Sequence, residues 1–193
     1  CGDTPADIVF ILDSSNSIWT PNYRRQVEFI SDVVDEFQIS EDQMKVGIVT
    51  FSHRARLAFS LEQSRSKEAV NEALGNLEQD GGLVTYTSKA IELMRKQCFT
   101  KRMGGRENVT KIGILISDGQ TTDPIATAYQ AHKAKMDGIH IFAVGVGSRI
   151  DMNVLKHIAS KPSKFYMVTA KGYEGLEHIR SLLAGKTCSG ESC

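Results

Sequence analysis

The sequence has no net charge, because its 23 lysines and arginines balance its 23 aspartates and glutamates. A chain without excess positive charge lacks the long-range field that attracts proteins to nucleic acids or anionic membranes. Long apolar runs are also missing, and none approaches the roughly 18 residues of a membrane-spanning helix. We therefore predict neither nucleic-acid binding nor a membrane span.

The sequence also lacks the motifs of the common nucleotide and zinc sites. No GxGxxG follows the first predicted strand, and no GxxxxGK[ST] occurs. A dinucleotide or a P-loop nucleotide would therefore lack the backbone amides that cradle its phosphates. The cysteines form no CxxC pair and the histidines form no cluster, which excludes the usual structural zinc spacings.

Cysteine is scarce, but the count is even and most of the cysteines lie in the terminal tails. The disulfide candidates are Cys1, Cys98, Cys188 and Cys193. Paired cysteines indicate an oxidising compartment, and a sequon adds a candidate glycosylation site at Asn108. The spacing does not choose among the possible pairings. Residues 1–5 do not resemble a signal peptide, so we expect the export signal of a secreted protein to lie outside this sequence.

Strand-like and helix-like segments alternate along the chain. Apolar runs predict buried strands at residues 6–12, 44–51, 111–116, 139–146 and 165–168, and an alternating pattern predicts a half-exposed strand at 54–61. Helical spacing predicts helices at 21–37, 64–77, 87–99, 124–136, 152–159 and 173–184. This alternation is typical of a Rossmann-like α/β fold, with a doubly wound, mostly parallel six-stranded sheet and one antiparallel edge strand. We predict a single domain over 1–193, with its core at about 6–185 and cysteine-bearing tails at 1–5 and 186–193.

Two predicted strands end in an acidic residue. Asp13 follows the first strand, and Asp118 follows the strand at 111–116. In open α/β sheets, ligands bind beyond the carboxyl ends of the strands, where the strand order reverses. If these two strands are neighbours at that point, both carboxylates meet there, and the loop at 81–87 brings Thr85 to the same edge.

The residues around these acids carry hydroxyl groups. A turn after the first strand can direct alternate residues, Asp13, Ser15 and Ser17, toward one centre, and Thr85 and Asp118 add oxygens from two other loops. Carboxylate and hydroxyl oxygens suit Mg²⁺, Mn²⁺ or Ca²⁺ rather than zinc or copper. We predict a divalent cation site that prefers Mg²⁺ or Mn²⁺ over Ca²⁺ and keeps one position for an outside ligand.

Three motifs in this order resemble those of a known family. D-x-S-x-S at 13–17, T-x-T at 85–87 and S-D-G at 117–119 resemble the metal-ion-dependent adhesion site of the von Willebrand factor type A domain, also called the integrin I domain. The resemblance covers nearly the whole chain. The segment at 46–61 is more similar to matrix members of the family, such as those of matrilins and non-fibrillar collagens, than to integrin α subunits.

The resemblance implies a role for each motif residue. Ser15 and Ser17 would bind the metal directly, and Thr85 would enter or leave the first coordination shell with conformation. Asp13 and Asp118 would bind either directly or through water. The open position would then take a carboxylate from a partner.

The resemblance also implies a kind of partner. We expect a secreted domain of the extracellular matrix, without enzyme activity, that binds a matrix protein such as collagen through an Asp or Glu side chain. Asn16, Trp19 and Tyr86 are the candidate residues of the rim around the metal. Packing on the first helix is the alternative for Trp19.

Two other functions compete with adhesion. A structural matrix module would assemble with collagen or mineral-associated polymers through its outer surface, without metal. A metal-dependent phosphatase also has an acid after its first strand, but it needs a second acid two residues later, where this chain has Ser15. A serine nucleophile needs a base within reach, and no Ser-His-Asp order is recognisable.

Five basic residues are concentrated at 95–106. They are Arg95, Lys96, Lys101, Arg102 and Arg106. We interpret the run as a solvated helix end, where cations suit the helix dipole. The alternative is a patch that binds a sulfated glycan or an acidic matrix partner.

Overall fold

The computed structural model describes residues 5–147 and 150–172. The predicted helix at 173–184 lies outside the described residues, as do three of the disulfide candidates, Cys1, Cys188 and Cys193. The described chain forms a central sheet flanked by helices.

The sheet contains six strands in the order β3-β2-β1-β4-β5-β6. Their bounds are β1 Ala6–Asp13, β2 Met44–Phe51, β3 Ala55–Phe59, β4 Thr110–Ser117, β5 Ile139–Val146 and β6 Met167–Ala170. Neighbouring strands are parallel except β2 and β3, which pair antiparallel at one edge. The predicted fold class is therefore confirmed.

Helices connect the strands. Their bounds are α1 Thr20–Asp35, α2 Lys67–Gly75, α3 Thr87–Leu93, α4 Pro124–Met136, α5 Met152–Ile158 and α6 Ser163–Tyr166. A π-helical turn at Met94–Cys98 continues α3, and 3-10 turns occur at Leu61–Gln63 and Lys101–Met103. No helix within the described ranges is both long enough and apolar enough to cross a membrane.

The middle of the sheet is buried on both faces. All of β1 is buried between β2 and β4, and the inner parts of β2, β4 and β5 are equally inaccessible. Strands buried on both faces form continuous apolar runs in sequence, so the sequence predicts them closely. The strand order reverses between β1 and β4, and the crevice for a ligand therefore lies beyond their carboxyl ends.

The last strand begins later than the sequence predicts. The apolar pattern predicts a strand at 165–168, but the structure places Phe165 and Tyr166 in α6 and begins β6 at Met167. Successive residues of a strand point to opposite faces. Here both aromatic rings contact Phe142, with centroid distances of 5.9 and 4.8 Å, and a helical turn allows both contacts.

Cys98, one of the four disulfide candidates, is a free thiol in the structure and forms no disulfide there. It ends the π-helical turn with 1% of its surface exposed, and its Sγ lies 3.9 Å from the carbonyl oxygen of Leu93. Burial raises the pKa of the Cys98 thiol to about 12. The thiol is thus part of the buried core.

The end of the sheet opposite Asp13 is fixed by an ion pair. The Arg106 backbone amide and Nε donate to the fully buried carboxylate of Asp7, at 2.7 and 2.9 Å. The remaining guanidinium nitrogens donate to the carbonyl oxygens of Ala6, Glu41 and Gln43. This arginine therefore belongs to the scaffold and is not a free surface cation.

Candidate metal site

The carboxyl ends of β1 and β4 bring two acidic residues to one edge of the sheet. Asp13 is the last residue of β1, and Asp118 directly follows the last residue of β4. The two strands are neighbours and run parallel. Their ends therefore meet at the point where the strand order reverses.

A compact turn follows Asp13. The backbone amide of Ser15 donates to Asp13 Oδ1 at 3.0 Å, and the hydroxyl oxygens of Ser15 and Ser17 are 2.8 Å apart. Ser14 turns the other way and donates to the carbonyl oxygen of Phe51 at 3.1 Å. Alternate residues of the turn thus point to opposite sides, with Asp13 and the Ser15–Ser17 hydroxyl pair in one group.

Asp118 is held by a matching turn. The backbone amide of Gln120 donates to Asp118 Oδ1 at 2.9 Å. In both turns, the amide two residues after the acid binds one carboxylate oxygen, which is an ordinary way for Asp to shape a loop. Each carboxylate keeps a second oxygen, and the Ser117 hydroxyl lies 3.5 Å from that of Asp13.

The pKa values of both carboxylates are raised above their ordinary range. Burial raises the pKa of Asp13 to about 6, hydrogen bonds from Ser15 oppose the rise, and the charge of Asp118 adds to it. Burial also raises the pKa of Asp118. Because burial and like charge both disfavour ionisation, a cation beside these groups would relieve an existing cost.

Thr85 lies next to the loop that follows Asp118. Its backbone amide donates to the Thr122 hydroxyl at 3.0 Å, and its carbonyl oxygen accepts from the Thr122 amide at 2.9 Å. The Thr121 hydroxyl donates to the same carbonyl oxygen at 3.2 Å. These bonds fix the Thr85 backbone, and the Thr85 side chain is largely buried.

Asp80, which the sequence did not single out, supports the loop at residues 14–18. We call this loop, which carries Ser15 and Ser17, the metal loop. Asp80 Oδ2 accepts from the hydroxyls of Ser14 and Thr50, at 3.0 and 3.1 Å, and its Oδ1 lies 3.0 Å from a guanidinium nitrogen of Arg56. Its neighbour Gln79 adds two hydrogen bonds to backbone carbonyls of the same loop. Only the polar character of the loop before the double glycine hinted at this role, because its partners are distant in sequence.

Gly81 and Gly82 allow the loop at residues 78–83, which we call the bracing loop, to approach the metal loop closely. Gly81 has φ +70°, and a Cβ there would lie 2.9 Å from Asn16 Oδ1. Gly82 has φ +114°, and its carbonyl oxygen accepts from the Asn16 amide at 3.0 Å. A larger residue at either position would be strained by the positive φ; at Gly81 it would also press on the Asn16 side chain, and at Gly82 it would press on Ser52 and His53.

The predicted rim residues differ in exposure. Asn16 is exposed, Trp19 is 70% exposed, and Tyr86 is half-buried. The neighbouring Ile18 is buried, so of the two apolar residues after the metal loop only Trp19 faces solvent. Leu83, which the sequence did not single out, is 96% exposed on the bracing loop.

The donor set fits a hard divalent cation. Within the described residues, no group of three or more His, Cys, Asp and Glu side chains could hold a metal ion. A cation here would therefore depend on hydroxyl oxygens beside the two carboxylates, which are the oxygen ligands that Mg²⁺ and Mn²⁺ accept.

The remaining candidates lie elsewhere on the domain. Asn108 is exposed just before β4, at the opposite end of the sheet, and its glycosylation stays a prediction. In the basic run, acidic partners are present for Arg95, Lys96, Lys101 and Arg106. The run is therefore largely neutralised, which favours the solvated helix end over a glycan patch.

The sheet is that of an open α/β domain, and a candidate cation site lies where its strand order reverses, between β1 and β4. The D-x-S-x-S, T-x-T and S-D-G motifs of the predicted adhesion site supply its residues. The chain belongs to the von Willebrand factor type A domain family, whose family model matches residues 7–181. The match extends over nearly all described residues, and it contains every motif residue of the site.

Its relatives include matrix members of this family, as the segment at 46–61 predicts. The chain is 34% identical over 188 residues to the collagen alpha-4(VI) chain of Mus musculus, covering 96% of this chain and 8% of that protein. It is 33% identical over 196 residues to matrilin-2 of Mus musculus, covering 100% of this chain and 20% of that protein. The chain thus spans a small part of the length of these relatives.

A solved structure with a similar fold is proximal thread matrix protein 1 from the mussel byssus. The two share 27% identity with a TM-score of 0.90, over 96% of this chain and 49% of that chain. Another structure of that mussel protein has zinc in its metal-ion-dependent adhesion motif.

Proposed function

We propose that this domain is a secreted, extracellular matrix adhesion module that binds a protein partner through a divalent cation. The cation is Mg²⁺ or Mn²⁺, with Ca²⁺ less favoured. The residues that hold it are Asp13, Ser15, Ser17, Thr85 and Asp118. The observation that supports this most is the pair of acid-ended neighbouring strands, with a hydroxyl pair 2.8 Å apart beside the more buried acid.

The choice of ligands explains why such a site would bind a carboxylate. Two carboxylates balance a divalent charge, whereas hydroxyls bring oxygen without charge, and Mg²⁺ keeps several exchangeable positions in sites of this kind. When bound, the cation supplies a positive centre for an anionic oxygen. An Asp or Glu side chain of a matrix protein such as collagen fits that requirement, with Asn16, Trp19 and Tyr86 around it.

The same residues argue against an enzyme. Catalysis by Asp13 or by a serine nucleophile would need a base or a second acid in reach. Ser15 occupies the sequence position where a phosphatase has that second acid, and its hydroxyl lies 2.8 Å from the Ser17 hydroxyl and beside the Asp13 carboxylate, which we assign to the cation. We propose a binding function without turnover.

Metal titration tests the site directly. Isothermal titration calorimetry with Mg²⁺ and Mn²⁺ should give one site per chain, and Ser15→Ala should weaken the affinity at least about tenfold, since a ligand is lost. Ser31→Ala is the matched control, because Ser31 donates to Asn71 on the helical surface far from the turn. Undiminished affinity in Ser15→Ala, with an unchanged circular dichroism spectrum, would refute the site.

A chelation experiment separates adhesion from the structural alternative. Binding of the domain to immobilised collagen should disappear in EDTA and in Asp13→Ala, but persist in Asp42→Ala, which removes an exposed acid. Binding that survives both EDTA and Asp13→Ala would favour a structural module that assembles through its outer surface.

A further inference from the structure

Beside the candidate site lies a group of exposed basic residues, which we call the cationic flank and define as Arg54, Lys89 and the neighbouring His53, with Arg54 and Lys89 carrying its charge. His53 and Arg54 form the turn between β2 and β3, and Lys89 lies on α3. All three are exposed. In the part of the chain that the structure describes, no acidic side chain lies within 4.0 Å of Arg54 or Lys89.

The flank is attached to the metal site through backbone contacts. Lys89 Nζ donates to the carbonyl oxygen of His53 at 3.2 Å and lies 4.0 Å from the ring centroid of Tyr86. Tyr86 directly follows Thr85, and its amide donates to the carbonyl oxygen of Ser52 at 2.9 Å. The ammonium group is therefore held beside the residue that follows a candidate metal ligand.

A second path joins the flank to the metal loop. A Cβ at Gly82 would lie 3.2 Å from Nδ1 of His53, so the imidazole touches the bracing loop. The carbonyl oxygen of Gly82 binds the Asn16 amide at 3.0 Å. From Asn16 to His53, the flank and the metal loop thus form one continuous surface.

The acidic residues near the site already have hydrogen-bond donors. Both carboxylate oxygens of Asp123 accept from hydroxyls, including that of Thr121 at 2.9 Å, and Oδ1 of Asp151 accepts from the amides of Asn153 and Val154 at 3.0 and 3.1 Å. The exposed charges of Arg54 and Lys89 can therefore attract an anionic group of a partner that approaches the metal.

We propose that the cationic flank binds a second carboxylate of the protein partner, so that the preferred ligand is an acidic segment with one carboxylate at the metal and another about three residues away. This inference rests on the proposed metal-dependent binding. An extended segment spans roughly 10 Å in three residues. The second carboxylate can then reach past Tyr86 to Lys89 and Arg54.

The test uses two fluorescein-labelled peptides of eleven residues, built from Gly and Ser around a central Glu. One carries Glu three residues to each side, and the other carries Gln at both places. Fluorescence anisotropy in Mg²⁺ should show wild-type protein binding the acidic peptide about threefold to tenfold more tightly, as expected for one or two exposed ion pairs. The preference should shrink as salt rises from about 50 to 500 mM, because exposed charges are screened.

The double variant Arg54→Gln, Lys89→Gln should lose this preference while keeping its Mg²⁺ affinity and its affinity for the neutral-flanked peptide. The double variant Lys45→Gln, Arg102→Gln is the matched control, because it removes the same charge near the opposite end of the sheet. The control should retain the preference.

Three results would contradict these proposals, and each has a different consequence. Equal, EDTA-sensitive binding of both peptides by wild-type protein would overturn the flank proposal and leave the metal-dependent function standing. Failure of both peptides to bind in a metal-dependent way would overturn the proposed function itself. A third result would be binding of a heparin hexasaccharide that persists in EDTA and is lost in the Arg54→Gln, Lys89→Gln variant. It would mean that the cationic flank binds a sulfated glycan, and it would overturn the proposal that the flank binds a carboxylate of a protein partner.

Discussion

Asp13 is a carboxylate that the fold buries without a basic partner in the described chain. Its pKa is about 6 in the folded protein, against an ordinary value of 3.8. Between these two values the folded state binds more protons than the unfolded state. The free energy of unfolding of the metal-free protein therefore falls as pH rises from about 4 to about 6, and it stays low above that range.

Replacing Asp13 with Asn should stabilise the metal-free protein. We expect a gain of about 1–3 kcal/mol in the free energy of unfolding at pH 7.5, because asparagine replaces a buried carboxylate that is ionised at that pH. At pH 4 the carboxylate of the folded protein is already neutral, and we expect little gain. Urea unfolding in EDTA measures both values. Asp42→Asn, at an exposed position, should change neither. An Asp13→Asn protein no more stable than wild type at pH 7.5 would contradict this electrostatic account.

Asp80 contacts Ser14 and Thr50 and supports the loop that carries the proposed metal ligands, without being one of those ligands itself. Asp80→Asn should weaken Mg²⁺ binding by about tenfold, a typical loss when a residue that orients a metal ligand is changed. Glu78→Gln removes the same charge from an exposed position in the same loop and should leave the affinity intact. Equal losses in both variants would mean that loop charge, and not the bonds to Ser14 and Thr50, supports the site.

At the scale of elements, the sequence predicts what depends on local pattern. The continuous apolar runs identify β1, β2, β4 and β5, since each is buried on both faces. The same apolar runs also predict that Asp13 and Asp118 lie at the carboxyl ends of β1 and β4, because each acid comes where an apolar run stops. The sequence does not predict Asp80, because its bonds to residues 66 and 30 positions away form only after the chain has folded.

The ion pair between Arg106 and Asp7 anchors the loop before β4 to the start of β1. Arg106→Ala would leave a fully buried carboxylate unpaired, and we expect a loss of about 3–5 kcal/mol in the free energy of unfolding. Urea unfolding checks this value, with Arg102→Ala as the exposed control. Mg²⁺ affinity should be unchanged, because the pair lies at the other end of the sheet. A loss below about 1 kcal/mol would contradict the anchoring role.

At the scale of the whole molecule, the chain matches only a small part of much longer relatives, since it spans 8% and 20% of the two described above. A module of this kind needs a stable scaffold and one free binding edge. In the described chain, the ion pair and the exposed sequon lie away from the edge that carries Asp13 and Asp118. The residues proposed to bind a partner are therefore different from those that form the ion pair of the scaffold.

Cys98 should remain a thiol in the native protein. We expect no reaction with Ellman's reagent before unfolding and prompt reaction afterwards, because the thiol is buried and its pKa is raised to about 12. Mass spectrometry of a non-reduced digest should find the Cys98 peptide free. Recovery of that peptide linked to another cysteine would contradict the structure.

The most direct test of the central claim is a crystal of the domain soaked in Mn²⁺ and measured for anomalous scattering. The account predicts one strong peak between the Asp13 turn and Asp118, about 2.0–2.2 Å from the hydroxyl oxygens of Ser15 and Ser17. Crystals of Ser15→Ala should show a weaker peak or none. A wild-type crystal with no peak at this edge of the sheet would contradict the claim.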